Sequence, residues 1–471
     1  MSFNDFLKWE ETNINRLMSF KNAFGVHLWP LVRVRLAMIY IQTVYKHSDP
    51  HSKSENIGIR QKLLWAMRVV FRSIFFMPSS AILIFSTSVV NMKEGSGYVN
   101  RLYDEIKKTL GTNISICERS YRKVFRVPRR SVSFASDSFF ILPIIISRFL
   151  KQDLADFRVN SEFVEYLKSS TIFNVVSDQL DGILDLLNSL SKQYRVYRYL
   201  VPALVKAKRI KAVVLEDASY GAANALLMKL FLRCGVMTIE HQHGLVAKNH
   251  PAYNYPCDVV GRRNQYYKYL PQYYMVFGEY WSRRIETPSN KIIWGFPYLS
   301  KKADVAKSTM KNIILIVSDG IDPQLVLGIC KRLLLNDIKG RRIVLKLHPG
   351  EVPLMQERYG ELLTYKNIEI KTYESVYDLL AETEYVVGVI STVMIEAFAF
   401  GLKPYVYKTE YSSEIFEGVE FNYFESIKEL DKIFTEKNNM LREDIDLTYY
   451  WAVNSQARYK EFFIEKGVLN K

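Results

Sequence analysis

The run Glu384-Tyr385-Val386-Val387-Gly388-Val389-Ile390 stops at Ser391-Thr392 and passes into Val393 to Gly401. This pattern reads as a buried strand that delivers two hydroxyls and a fresh helix N-terminus to one spot. Upstream, a second buried strand over 342–347 ends in His348-Pro349-Gly350-Glu351. If both strands lie in one parallel sheet, their carboxyl ends set a cation, an imidazole and unpaired helix amides around one anion site. Lys346 and His348 share a strand face because side chains alternate. Near a phosphate the histidine is held as a cation, able to stabilise a departing phosphate. Pro349-Gly350 forces a turn that bares backbone amides. Glu396 follows Thr392 by one helical turn, within reach of a ribose hydroxyl or simply suited to the positive helix end. A third strand ends Val317-Ser318-Asp319-Gly320, and its loop borders the same pocket.

The chain has only seven histidines, yet His241, His243, His250 and His348 fall inside two such strand-end segments. In Thr238-Ile239-Glu240-His241-Gln242-His243-Gly244 a strand closes on polar residues and a glycine, which presents Glu240, Gln242 and Gly244 at the carboxyl edge of its sheet. A core role for His241 or Gln242 would leave buried polar groups in need of partners. A companion strand ends Glu216-Asp217-Ala218-Ser219. Either carboxylate stands where a catalytic base would, although Asp217 or Ser219 could instead cap the next helix. His243 is the third candidate for the base.

The elements that must position these groups alternate most regularly in the C-terminal part. Strands are expected at 312–317, 342–347, 368–370, 384–390 and 404–407, with helices at 323–335, 352–363, 376–382 and 392–400 between them. Repeated strand-then-helix units imply a parallel sheet covered on both faces. The N-terminal half is less regular. A helical lead-in to Phe76 precedes a strand at 81–87, a helix over 98–110, long helical patterns from 161 to 208, and strands at 212–215, 236–239, 274–278 and 292–295. The apolar run 139–146 reads as another buried strand. The fold class is α/β with two Rossmann-like domains and a deep cleft between them. Residues 1–76 form a helical extension, 77–300 an acceptor domain, 301–446 a nucleotide-binding domain, and 447–471 a helix packing back on the body. The polar run 300–311 reads as the linker.

At 471 residues, 48% hydrophobic and 24% charged, the chain is long enough for two cores and too apolar for global disorder. The formal charge of +15 attracts polyanions: nucleic acid, acidic lipid headgroups or nucleotide-linked substrates. Its basic residues are scattered, which speaks against nucleic acid. The four cysteines have no framework or metal spacing. P-loop, GxGxxG and HExxH patterns are absent. Asp444-x-Asp446 lies outside the alternating region and is expected at a loop tip, so no metal is required. The N-terminus has no export signal. Residues 60–76 carry Arg60, Lys62, Arg68 and Arg72 among apolar residues and no acid, a composition suited to a membrane surface or to packing on the domain itself.

These residues resemble GT-B glycosyltransferases of bacterial surface polysaccharide assembly. The likeness rests on Gln242-His243-Gly244, on Lys346 to Glu351 and on Ser391-Thr392. Similar His-Pro and Ser/Thr motifs mark bacterial sialyltransferases, polysialyltransferases, Kdo transferases and CDP-glycerol glycerophosphotransferases. The segments 277–281 and 295–298 also look like those of capsule and O-antigen relatives. The resemblance implies that His348, Ser391 and Thr392 hold the phosphate of a cytidine nucleotide and that Glu216 or Asp217 is the base. Ala218 stands where the sialyltransferase pattern has glycine. The expected function is inverting, metal-independent sugar transfer, without a cofactor. A CMP-activated nonulosonic acid such as sialic acid, or CMP-Kdo, is the co-substrate and a lipid-linked glycan the acceptor. The protein is expected in the cytoplasm, with peripheral contact to an anionic membrane and no nucleic acid partner. The competing expectations are a UDP- or GDP-hexose transferase, a CDP-glycerol-type transferase, a nucleotide-sugar epimerase, and a non-catalytic binder of membrane or nucleic acid.

Overall fold

Four consecutive apolar residues, Ile82 to Phe85, offer no polar face to solvent, and buried on both sides they become the centre of a parallel sheet. The computed structural model describes residues 3–45, 58–306, 312–335, 340–432 and 446–470. In chain order its strands are β1 (Ile82–Thr87), β2 (Asn91–Glu94), β3 (Gly97–Asn100), β4 (Ile114–Arg119), β5 (Phe134–Ala135), β6 (Ala212–Leu215), β7 (Met237–His241), β8 (Tyr273–Val276), β9 (Asn290–Ile293), β10 (Ile313–Val317), β11 (Arg342–Lys346), β12 (Ile368–Lys371), β13 (Thr383–Gly388), β14 (Tyr405–Tyr407) and β15 (Asn422–Phe424).

The first sheet has seven strands in the order β5-β4-β1-β6-β7-β8-β9, and every pair is parallel. The second has six, in the order β12-β11-β10-β13-β14-β15, again all parallel. Both run outward from a central strand in two directions. Each therefore has a topological switch point, between β1 and β6 in the first lobe and between β10 and β13 in the second. These are two Rossmann-like lobes, as the alternation of elements implied.

Three local expectations change. Residues 98–110 are not one helix: β2 and β3 form an antiparallel hairpin, and only Asp104–Leu110 is helical. Residues 139–146 lie in a helix, Asp137–Phe149, not a strand. Residues 300–306 belong to the helix Pro297–Ala306, while the rest of the expected linker, 307–311, lies outside the described residues. No helix among the described residues is long and apolar enough to cross a membrane.

The N-terminal helices Phe3–Leu17 and Trp29–Tyr45 sink into the core of the first lobe. Glu10 and Arg33 form a fully buried ion pair at 2.7 Å, and Trp29 Nε1 donates to the same carboxylate. Arg33 also donates to the carbonyls of Pro251 and Asn254, tying these helices to the loop after β7. The carbonyls of Pro30 and Leu31 press on Gly221, directly after the loop that carries Glu216 and Asp217. These two helices therefore brace the fold.

The chain end crosses back to the first lobe. Ala452 N–H donates to Phe277 O at 2.9 Å and Trp281 Nε1 to Tyr450 O at 3.0 Å. Helix Ser455–Glu465 lays Tyr459 on Trp294 and Phe462 on Tyr273. Close backbone approach explains two glycines. A Cβ at Gly278 would collide with the Tyr450 carbonyl, and one at Gly295, whose φ is +96°, with the Ala452 carbonyl. Gly278→Ala and Gly295→Ala should each cost about 2–4 kcal/mol in urea unfolding. Gly182→Ala, where an added methyl meets nothing, should be neutral or stabilising by up to about 1 kcal/mol. Equal stability of the Gly295 and Gly182 variants would refute the clamp.

Candidate active site

Val317, at the end of β10, pairs with Lys346 on one side and Gly388 on the other, so β11, β10 and β13 end level. Neighbouring strands lie about 4.8 Å apart, so the loops bearing His348 and Ser391 leave the sheet about 10 Å apart, with Ser318 between them. Ser318 Oγ accepts the His348 backbone N–H at 3.1 Å. The Gly350 N–H donates to His348 Nδ1 at 3.1 Å, which puts the proton of the neutral ring on Nε2. Ser391 is extended and caps the helix Thr392–Glu396, its Oγ accepting from Val393 N–H at 3.3 Å. That helix is five residues long, and 397–400 continue it as a 3-10 turn, so the run to 400 is not the single helix expected. His348, Pro349, Ser391 and Thr392 are half-buried.

Several neighbours brace this edge. Glu351 is fully buried and accepts from Tyr359 OH at 2.8 Å, from Arg358 at 3.0 Å and from Ser318 Oγ, so it holds the turn from beneath and cannot meet a nucleotide. Lys346 is buried too. Its ammonium donates to Leu347 O at 2.9 Å and Thr372 O at 2.8 Å, and burial lowers its pKa to about 8. The expected phosphate cation is thus committed to strand-end carbonyls. Asp319 accepts from the N–H groups of Ile321 and Asp322, shaping the loop in which Gly320 takes a positive φ. Burial raises its pKa to about 6.

In the first lobe, Glu216 leaves β6 at the switch point and reaches the end of β1. It accepts Ser86 Oγ at 2.8 Å, Thr87 N–H at 3.0 Å and Thr87 Oγ1 at 2.8 Å. Burial raises its pKa above the usual glutamate range, while His243 and these donors oppose the rise. Asp217 is half-buried and pairs with Arg119 at 3.0 Å. It makes no side-chain cap of the following turn.

The acceptor-side set divides. Glu240 is fully buried, accepting from Ser219 N–H at 2.9 Å, Ser219 Oγ and Tyr253 OH at 3.1 Å, and burial pushes its pKa well above the usual range. It is a core carboxyl with its own partners. Gln242 likewise accepts Phe277 N–H at 2.9 Å and donates to Gly244 O at 3.0 Å, locking the loop to β8. His241 packs edge-on against Trp294, and burial lowers its pKa to about 3. His250 packs against Tyr253 and is lowered to about 3 in the same way. His243 and Gly244 remain half-buried, and an added methyl at Gly244 meets nothing within 4 Å.

Arg101, just past β3, joins the two edges. Its guanidinium donates to His243 O at 2.9 Å in its own lobe and to Tyr377 OH at 2.8 Å in the other, and lies 4.0 Å from Glu396. Burial alone would depress its pKa, but Tyr377 and Glu396 hold it above the ordinary value. Glu396 is buried and raised by that burial, with Arg101, Tyr377 and Thr392 opposing. Its Oε1 is thereby turned to Arg101, across the interlobe contact. Three buried polar atoms here have no hydrogen-bond partner: Arg101 Nε, His243 Nδ1 and Glu396 Oε2. Orphaned polar atoms at facing strand ends are where a polar ligand or bound water belongs. Sequence reading missed Arg101 because nothing in its polar surroundings marks it.

Among the described residues, no group of three or more His, Cys, Asp or Glu side chains could hold a metal ion. Asp446 caps a short helix through Thr448 N–H, and Asp444 lies outside the described residues.

No family model matches the chain, and no curated protein matches it. Among solved structures it is similar to the UDP-GlcNAc 2-epimerase of Methanocaldococcus jannaschii in complex with UDP-GlcNAc and UDP, at TM-score 0.44 and 10% identity over 82% of this chain and 99% of that one. It is also similar to the wall teichoic acid polymerase TagF, at TM-score 0.42 and 10% identity over 93% of this chain and 97% of that one. A third likeness is to the lipopolysaccharide outer core galactosyltransferase WaaB, at TM-score 0.39 and 9% identity over 82% and 99%.

Asp319 supplies a test of the second-lobe edge. Its folded pKa lies above the ordinary 3.8, so the native state holds the proton more tightly than the unfolded chain does. Stability should fall as pH rises from 3.8 to about 6, by at most about 3 kcal/mol. Asp319→Asn keeps the acceptor oxygen and should make that slope shallower in urea melts across pH, leaving the part due to Glu216, Glu240 and Glu396. An unchanged slope would contradict the burial of this loop.

Proposed function

We propose that the chain is a glycosyltransferase that moves a sugar from a nucleotide-activated donor to a hydroxyl of a lipid-linked glycan in surface polysaccharide synthesis. One observation supports the reading: Arg101 bonds the His243 carbonyl in the first lobe and Tyr377 in the second, and the strand ends of the two lobes carry, in the first, a buried carboxylate beside that histidine and, in the second, an imidazole and two hydroxyls. The acceptor hydroxyl gives its proton to the His243–Glu216 pair as its oxygen attacks the anomeric carbon. Glu216, pinned by Ser86 and Thr87, serves as the counter-charge that orients and supports the imidazole. The bond to the nucleotide phosphate breaks on the opposite face, which inverts the centre. The charge growing on that phosphate is met by His348 Nε2–H and by the hydroxyls of Ser391 and Thr392. No cofactor or metal enters this scheme. A CMP-linked nonulosonic acid or CMP-Kdo is the preferred donor, on the strength of the His-Pro and Ser/Thr pattern.

Thermal-shift measurements with CMP, CDP, UDP and GDP test the donor pocket. A ligand well above its dissociation constant should raise Tm by about 3 °C or more for one nucleotide, with CMP favoured, and His348→Ala should erase the shift. Indifference to all four would sink the transferase reading. His243→Asn and Glu216→Gln should each lower kcat by about 10²–10⁴ with the donor KM little changed. Full activity in His243→Asn would hand the base role to Asp217.

A further inference from the structure

Helix Ile59–Phe71 is built inside out. It has no buried residue, and Leu63, Met67, Val70 and Phe71, which share one side, are 60%, 50%, 58% and 75% exposed. Helix Asp137–Phe149 repeats the inversion, with Pro143 and Ser147 turned inward while Ile145 and Phe149 are 47% and 84% exposed. The two are joined where Trp65 Nε1 donates to Asp137 at 2.9 Å, while Arg68 ties the first helix to Ser133, just before β5, at 2.8 Å. The second helix also lines a groove of about 730 Å³, where Leu142 and Ile146 stand with Arg195 and Arg198. A water-facing apolar surface of this extent marks an interaction site.

Charge selects the partner. Exposed Arg60, Lys62 and Arg72 flank the first helix, Arg148 and Lys151 the end of the second, and neither 59–72 nor 138–152 contains an acid. Each helix has 13 residues, about 20 Å, against a hydrocarbon core of about 30 Å, so neither can cross a bilayer and both suit its interface. We infer that this two-helix face seats on an anionic phospholipid bilayer, its apolar side chains among the acyl chains and its arginines and lysines at the phosphates. The inference rests on surface composition alone, and its fate is separate from that of the nucleotide test.

The full chain should float with vesicles of phosphatidylcholine mixed with phosphatidylglycerol at least about tenfold more than with phosphatidylcholine alone, and added salt should weaken it. Met67→Asp combined with Phe149→Asp should cut vesicle binding by about tenfold or more. Because both side chains face solvent, the melting temperature should hold, which separates lost docking from lost folding. Vesicle binding that is absent, or unchanged by these substitutions, overturns the inference. So does a solution dimer that the same substitutions disperse, since a second copy would then be the occupant.

Discussion

Arg101 is the joint on which the arrangement depends. Three groups compete for one guanidinium: a carbonyl at the edge of the first sheet, a phenol of the second lobe and a buried carboxylate. Removing one partner of a buried charge pair costs about 3–5 kcal/mol, because the other charge stays dehydrated. The lobes therefore cannot part at this point without exposing Glu396 to water or stranding it. The chain end reinforces the joint from outside, where residues 449–455 lie against glycines on the first lobe that leave no room for a side chain. Arg101 thus ties the loop after β7 to the helices that follow β12 and β13.

Within that frame, burial sorts the carboxylates. Glu10, Glu240 and Glu351 are fully buried, and each is surrounded by donors from its own lobe, so each stabilises a turn or a helix pair and has no capacity left for a ligand. Glu216 is likewise held by donors of its own lobe, Ser86 and Thr87, and differs in having His243, half-buried, beside it. A carboxyl with its pKa raised by burial next to an imidazole is an arrangement for passing protons, while the saturated three are not.

The second lobe was legible because its strands are short continuous apolar runs separated by helical spacing, a pattern that parallel sheets impose. The hairpin Asn91–Asn100 was not, since its strands are four residues each and largely polar. β4 hid for a related reason: Glu118 looks like a surface residue until Asn91, Ser133 and Arg129 are seen around it. Helix Asp137–Phe149 was misread because a short run of isoleucine and phenylalanine fits a strand or a helix equally, and because burial was assumed for it. At the site, strand-end positions were recoverable from spacing, but side-chain direction was not. Lys346 and Glu351 sit in the expected places and turn inward, whereas His348 and Ser391 stay half-exposed at the edge.

The inverted helices are not remote from the chemistry. Trp65 donates to Ser120 Oγ at 3.1 Å as well as to Asp137, and Asp137 in turn accepts the Ser120 N–H at 2.9 Å. Ser120 follows Arg119, whose guanidinium lies over Phe140 and pairs with Asp217. Helix Asp137–Phe149 therefore begins at the carboxyl edge of the first sheet and runs away from it for about 20 Å. Seated on a bilayer, that face would be linked to Asp217 through Asp137, Ser120 and Arg119. Two hydrogen-bonded contacts and the peptide link between Arg119 and Ser120 thus join Trp65 to Asp217, so the inverted helices are held in register with the strand end that carries this carboxylate.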